Sequence, residues 1–370
     1  QASHIDMFGK SEPYDLLKFM RLINSRSDYF KVWSGPLFKA IENVVYYHFK
    51  NDDGTPMFIK HVPVPDRPSM IAGLVRHGLK YYETDYTGFE SHFTRPIMQA
   101  CECQLYRACL PWLPEDQLSF LCDTITGTNR IHSRAGLKMT VQARRMSGDM
   151  CTSLGNGFTN LMLSRFVAHL QGHHIQGYIE GDDGLFATVA ELSPEWYSLV
   201  GFTIESSQVD FPTDASFCGL QICGGAIVRD PRSFLRKFGW TYSFINAGPK
   251  IMAELLLAKG LSCLYETPNC PIVSELAYEA VRWVRVNFPA ATPRYMKDGY
   301  HGLPPPDFVE SPPRISDLTR AEYARKYGIS PEDQLRAERL IDQGREVELS
   351  GVVSPTDDDL WYAAAYVVVG

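Results

Sequence analysis

The chain has 370 residues, 36 of them Lys or Arg and 43 Asp or Glu, for a net charge of −7. That balance argues against a simple basic nucleic-acid-binding module, whose footprint is positive, but not against a protein that gathers its basic residues into one channel and offsets an acidic centre with cations. A hydrophobic content of 45% predicts a large core in two or three subdomains, and no apolar run reaches the ~18 residues of a membrane span.

Nine cysteines, at 101, 103, 109, 122, 151, 218, 223, 263 and 270, lack paired ligand spacing, so neither zinc nor a disulfide framework is expected. Cys101-Glu102-Cys103 lies in a helical stretch. The chain opens at Gln1 inside a region that already carries a candidate motif, so a fragment or processed piece is expected.

In chain order, Lys10, Lys18, Arg21 and Arg26 form a basic comb in an otherwise acidic protein. Ammonium and guanidinium groups in such a row suit a triphosphate, although a solvated basic face has the same composition. Phe38 to Phe49 has a helical apolar pattern, and Asn51-Asp52-Asp53-Gly54 reads as a turn, so this acidic pair is not a site. His61 to Pro68 is predicted extended, because each proline restricts the residue before it.

Tyr81 to Glu90 reads as a strand that delivers Asp85 at its end, followed by helical spacing through Phe93, Ile97, Met98, Cys101, Leu105 and Leu110. Residues 115–142 hold a further helix, a turn at Gly127-Thr128-Asn129 and a hairpin around Ala135-Gly136. Ser147-Gly148-Asp149 then opens a helix with Leu154, Phe158, Leu161, Met162 and Phe166 on its apolar side. Ser147 and Asp149 have the chemistry of ordinary caps, whereas Thr152 and Asn156 stand one helical turn apart on one face.

From His174 to Phe186 two short apolar runs meet at Gly181-Asp182-Asp183-Gly184, a hairpin with carboxylates at its tip. Alone, that tip is explained by turn chemistry. Ser193-Pro194 starts a helix, and Phe217 to Val228 makes a second hairpin. From about 237 the chain turns helical, with runs at 250–264 and 271–287, a proline-rich connector from Pro289 to Pro313, and a helix from Ser330 that stops at Gly344.

Together these motifs resemble the RNA-dependent RNA polymerases of positive-strand RNA viruses, most closely the tombusvirus-like and nodavirus-like groups. Lys10, Lys18 and Arg21 are similar to the nucleotide-channelling motif F, Asp85 to motif A, Ser147-Gly148 with Thr152 and Asn156 to motif B, and Asp182-Asp183 to motif C. The order F, A, B, C runs over roughly the first half of the chain. Gly201 to Glu205 resembles the end of motif D, and the 217–228 hairpin the primer-grip motif E.

The resemblance implies an α+β right-hand polymerase with an antiparallel-sheet palm, partial fingers and a helical thumb. Residues 1–80 would be fingers, 81–104 palm, 105–142 a fingers insertion, 143–236 palm and 237–370 thumb. Asp85 and Asp182 would ligate Mg²⁺, with Asp183 supporting and Mn²⁺ a possible substitute; Glu90 and Asn156 would sense the ribose. Its partners would be RNA template and product, NTPs and other viral replication proteins, and its location the host cytoplasm at viral replication complexes.

Two departures stand out. Glu90 stands where these families usually carry Asp, and no Lys lies between Lys138 and Lys237 to act as the acid for pyrophosphate. Glu205 is near that position, and His173 or His174 has a suitable pKa but also an ordinary structural explanation. A reverse transcriptase and a catalytically silent RNA-binding scaffold are the alternatives. The first normally has a bulky residue at the position of Gly181; the second is opposed by the intact Asp85, Asp182 and Asp183.

Overall fold

The computed structural model describes residues 4–10, 20–235, 238, 239, 241, 244–294 and 304–345. Strands β1 (His4–Gly9) and β2 (Leu22–Arg26) precede α1 (Asp28–His48). The Ser27 hydroxyl accepts the Phe30 N–H and Asp28 sits in the first turn, where the helix dipole favours an acid. The helix begins well before the predicted Phe38, because Phe30, Ser34, Leu37, Phe38, Ile41 and Val45 form one buried face that carries it through Pro36.

The segment expected to be extended instead coils. Val64–Asp66 is a 3₁₀ turn and α2 (Arg67–Ala72) follows it, with Pro65 and Pro68 in the first turns, where a missing N–H leaves no helix bond unmade. After β3 (Lys80–Tyr86), the single predicted helix is three: α3 (Phe89–His92), α4 (Arg95–Ala100) and α5 (Glu102–Cys109). Pro96 lies in the first turn of α4 and leaves Phe93 and Thr94 extended, and Cys101 leaves helical geometry before α5.

Next come α6 (Glu115–Thr126) and the predicted hairpin β4 (Thr128–Ser133) with β5 (Lys138–Gln142), in which Thr128 and Asn129 already belong to the strand. Then follow α7 (Thr152–Leu170), β6 (Ile175–Glu180), β7 (Asp183–Thr188), α8 (Pro194–Ser198) and β8 (Ile204–Val209). The C-terminal part contains β9 (Gln221–Cys223), β10 (Ala226–Val228), α9 (Pro231–Leu235), α10 (Pro249–Glu266), α11 (Val273–Asn287), α12 (Asp317–Tyr327) and α13 (Pro331–Asp342).

The chain divides into two compact units, Gln1–His61 with Leu74–Cys218, and Val62–Gly73 with Gly219–Gly370. The first holds two four-stranded sheets. One has the order β6-β7-β3-β8 and is antiparallel throughout; the other has the order β2-β1-β4-β5, with β1 and β4 its parallel pair. α7 packs on β6 and β7 and is buried nearly all round, so the expected one-sided apolar stripe is wrong: Gly155, Asn156, Thr159 and Asn160 are buried, and Phe166 is exposed. Tyr86, Phe89, Phe93 and Phe202 make an aromatic cluster beneath the end of β3.

In the second unit α10 and α11 pack together, with Val273, Ala277, Val281 and Val284 at helical spacing on the buried face of α11. Arg320 pairs with Glu338, whose Oε1 also accepts the Ile272 N–H at 3.0 Å. Among the described residues no helix is long and apolar enough to cross a membrane.

Candidate active site

The antiparallel sheet supplies the acidic centre. β3 runs beside β7 with Thr84 opposite Gly184, so the next residue at that end of each strand, Asp85 and Asp183, face each other past the last pair. Asp182 sits in the β6–β7 turn beside Gly181, whose φ of 66° is one that glycine adopts without strain. On the other side of β3, Asp85 is directly opposite Glu205 of β8, so a further carboxylate faces it across that strand pair. His173 and His174 precede β6 at the far end of the hairpin, a six-residue strand of about 20 Å from the tip, which removes them as acids for this centre.

Burial pushes the Asp183 carboxyl up to about 7, helped by the neighbouring charges of Asp182 and Asp85 and opposed by a hydrogen bond from Cys218. Asp182 is raised too, by burial first and then by Glu90 and Asp85, while Arg21 opposes the shift. Buried carboxylates raised by neighbouring negative charge in this way are relieved by a cation. The three aspartates do not form one closed ligand shell: among the described residues, the acidic side chains whose ligand oxygens all approach within 4.8 Å are Glu275, Glu279 and Asp342, where Arg282 already contacts Glu279 and Asp342.

The tip is held from α7 by Asn160, which sequence reasoning passed over. Its Oδ1 accepts the Tyr86 hydroxyl at 3.3 Å, and its Nδ2 points at the carbonyls of Asp182 and Asp183 at 3.0 and 3.3 Å. The only signal in the chain was a second amide one helical turn after Asn156.

The loop before α7 docks on β2. The Ser147 Oγ accepts the Asn24 N–H at 3.1 Å and donates to the Leu22 carbonyl at 3.2 Å, while the Gly148 N–H donates to the Asn24 carbonyl at 2.9 Å. A Cβ on Gly148 would stand 2.9 Å from that carbonyl and 3.1 Å from the Ser25 Cα, backbone that cannot step aside. Gly148→Ala is therefore expected to cost about 1–3 kcal/mol in urea unfolding, the usual range for overpacking, and an unchanged midpoint would contradict this docking.

β2 and β1 also bring Lys10 beside Arg21, joined by a 2.8 Å bond from the Lys10 N–H to the Arg21 carbonyl. Lys18 lies outside the described residues. Arg26 leaves the basic comb: it is buried, and its Nε lies 2.8 Å from the Asp149 Oδ1, an ion pair inside the protein. Asp149 is thus the buried partner of that arginine and no ordinary cap.

Thr152 directs its hydroxyl at the Met146 and Asp149 carbonyls, at 3.0 and 2.8 Å, and so closes the loop locally. Asn156 turns the other way, its Nδ2 donating to the Glu90 Oε1 at 3.2 Å. Behind it lies a second buried pair, Arg145 with Glu102, which makes Glu102 the interior of α5 and not its surface.

Residues 5–203 match the profile of a family described as viral RNA-dependent RNA polymerase. The chain belongs to this family. Two proteins called RNA-directed RNA polymerase are similar to it: that of Atlantic halibut nervous necrosis virus, 29% identical over 142 residues, and that of greasy grouper nervous necrosis virus, 28% identical over 166 residues. These stretches cover 34% and 40% of this chain but only 14% and 16% of the relatives' length. The polymerase-family match spans Lys10, Arg21, Asp85, Glu90, the Ser147–Asn156 loop and helix start, and Asp182-Asp183; it ends before β8.

Proposed function

We propose that the chain is the catalytic part of a viral RNA-dependent RNA polymerase, adding NTPs to an RNA 3′-hydroxyl with release of pyrophosphate. The observation that carries this reading is the adjacency of β3 and β7, which puts Asp85 beside the Asp182-Asp183 turn in a chain of this family. The sheet β6-β7-β3-β8 would be the palm of a right hand, with residues 1–80 and 105–142 as fingers and 237–370 as thumb.

The donor set fits a hard divalent cation, because it consists of carboxylate oxygens that burial first, and neighbouring negative charge second, raise at Asp182 and Asp183. Asp85 and Asp182 would hold Mg²⁺, or Mn²⁺ in its place, with Asp183 supporting. When bound, the metal makes the 3′-hydroxyl more acidic and neutralises charge on the phosphates.

The remaining work falls to the chain's own side chains. Lys10, Lys18 and Arg21 bind the triphosphate as point charges and forks, Ser147, Gly148 and Thr152 shape the wall that supports template and primer, and Asn156 with Glu90 meets the ribose 2′-hydroxyl. The 3′-hydroxyl gives its proton to solvent as its oxygen attacks the α-phosphorus, the bond from that phosphorus to the bridging oxygen breaks, and the electron pair leaves with pyrophosphate. Template and product RNA and other viral replication proteins are the proposed partners, at replication complexes in the host cytoplasm.

Primer extension on a short RNA template, with NTPs and dNTPs offered separately, tests this. Metal-dependent extension with NTPs is the expected result. Extension with dNTPs in preference would favour a reverse transcriptase, and RNA binding with no synthesis would favour a silent scaffold.

A further inference from the structure

The amide of Asn156 is oriented from behind. Arg145 carries only donors, and its Nε donates to the Asn156 Oδ1 at 3.2 Å, which leaves the Nδ2 facing Glu90. Turning the amide over would set its NH₂ against the Arg145 donor and its oxygen against the Glu90 carboxylate, repulsive at both ends.

Arg145 itself has no freedom to move. Its guanidinium is completely buried and pairs with a completely buried Glu102. It also donates to the Cys151 Sγ at 3.3 Å and lies 4.8 Å above the Phe93 ring. Glu102 is anchored by the Tyr106 hydroxyl at 2.8 Å, which burial keeps protonated and donating. Gly155 seals the arrangement, since a Cβ there would come 2.5 Å from the Arg145 Nη2 and 2.7 Å from the Glu102 Oε2.

We propose that Arg145, held by Glu102 and Tyr106, is a positioning residue for ribose recognition, fixing the Asn156 amide so that selection of ribonucleotides over deoxyribonucleotides depends on it. The inference rests on the polymerase reading above. A site built to hydrogen-bond a hydroxyl can reject the analogue lacking it by about 10⁴–10⁵, and that power requires the polar groups to be held in one orientation.

The test is single-nucleotide incorporation by the full 370-residue chain, comparing kcat/KM for ATP and dATP in the wild type, Arg145→Lys and Tyr106→Phe, each checked first by thermal melting. Lys keeps a charge opposite Glu102 but lacks the planar fork that serves Glu102, Cys151 and Asn156 together. The ATP:dATP ratio is expected to fall about tenfold or more in Arg145→Lys, with a smaller fall in Tyr106→Phe, because the amide loses part of what a hydroxyl-binding site uses for selection. A merely structural role would slow both nucleotides alike, and an unchanged ratio in active variants would overturn the proposal. If Arg145→Lys does not fold, the ratio of Tyr106→Phe decides. Wild-type synthesis without ribose selection would remove the roles of Asn156 and Glu90, and this proposal with them; no synthesis at all would strike at the polymerase reading itself.

Discussion

Arg26→Ala is expected to destabilise the first unit by about 3–5 kcal/mol, the cost of stranding a buried carboxylate when its partner is removed. The side chains of Arg26 and Asp149 are 0% and 3% exposed, so water cannot take the place of the missing partner. Burial already holds the Asp149 carboxyl above the usual range, with Arg26 and Arg145 opposing the shift, so desolvation outweighs the pairing. A group raised in this way favours folding when protonated, fully so below its unfolded pKa, and that contribution is lost as pH rises through its folded value.

It follows that Arg26→Met combined with Asp149→Leu recovers most of the stability that either single change removes. Urea unfolding of the two single variants and the double variant measures this. A double variant as unstable as the sum of the singles would show that the pair is not the source of the loss. The same variants are expected to weaken synthesis, because the pair ties β2, which follows Arg21, to the loop that carries Ser147 and Gly148.

The second large effect is at the hairpin tip. Asp182→Asn is expected to lower metal-dependent extension by about 10²-fold or more, since it removes a charged oxygen that would hold the cation facing the reacting phosphates. Thermal melting adds an independent readout. Without a cation, an Asp183 carboxyl pushed up to about 7 contributes stability at acidic pH that is lost as pH rises through that value. Mg²⁺ binds the ionised form, so it is expected to raise the melting temperature more at pH 8 than at pH 6. An equal Mg²⁺ shift at both pH values, or one unchanged by Asp182→Asn, would place the cation elsewhere.

Local chemistry made part of this molecule legible in the chain. Two apolar runs meeting at Gly181-Asp182-Asp183 specify a hairpin, and Asp85 near the end of an aromatic strand specifies a carboxylate at the mouth of the sheet, because alternation and turn residues act over a few positions. The prolines between Val62 and Pro68 misled for a local reason as well, since their effect depends on whether they start a turn or extend a strand.

Which charges face water was decided only by tertiary structure. Arg26 reads like Lys10, and Glu102 like any helix-surface acid, until β2 meets the Ser147–Asp149 loop and α5 meets Arg145. Likewise the sequence places Asn156 and Asn160 on one helix, but only the packing of α7 against the sheet gives one of them Glu90 and Arg145 and the other the carbonyls of the hairpin tip. Those partners are remote in sequence, and the energy of a buried polar group depends on partners that local pattern cannot supply.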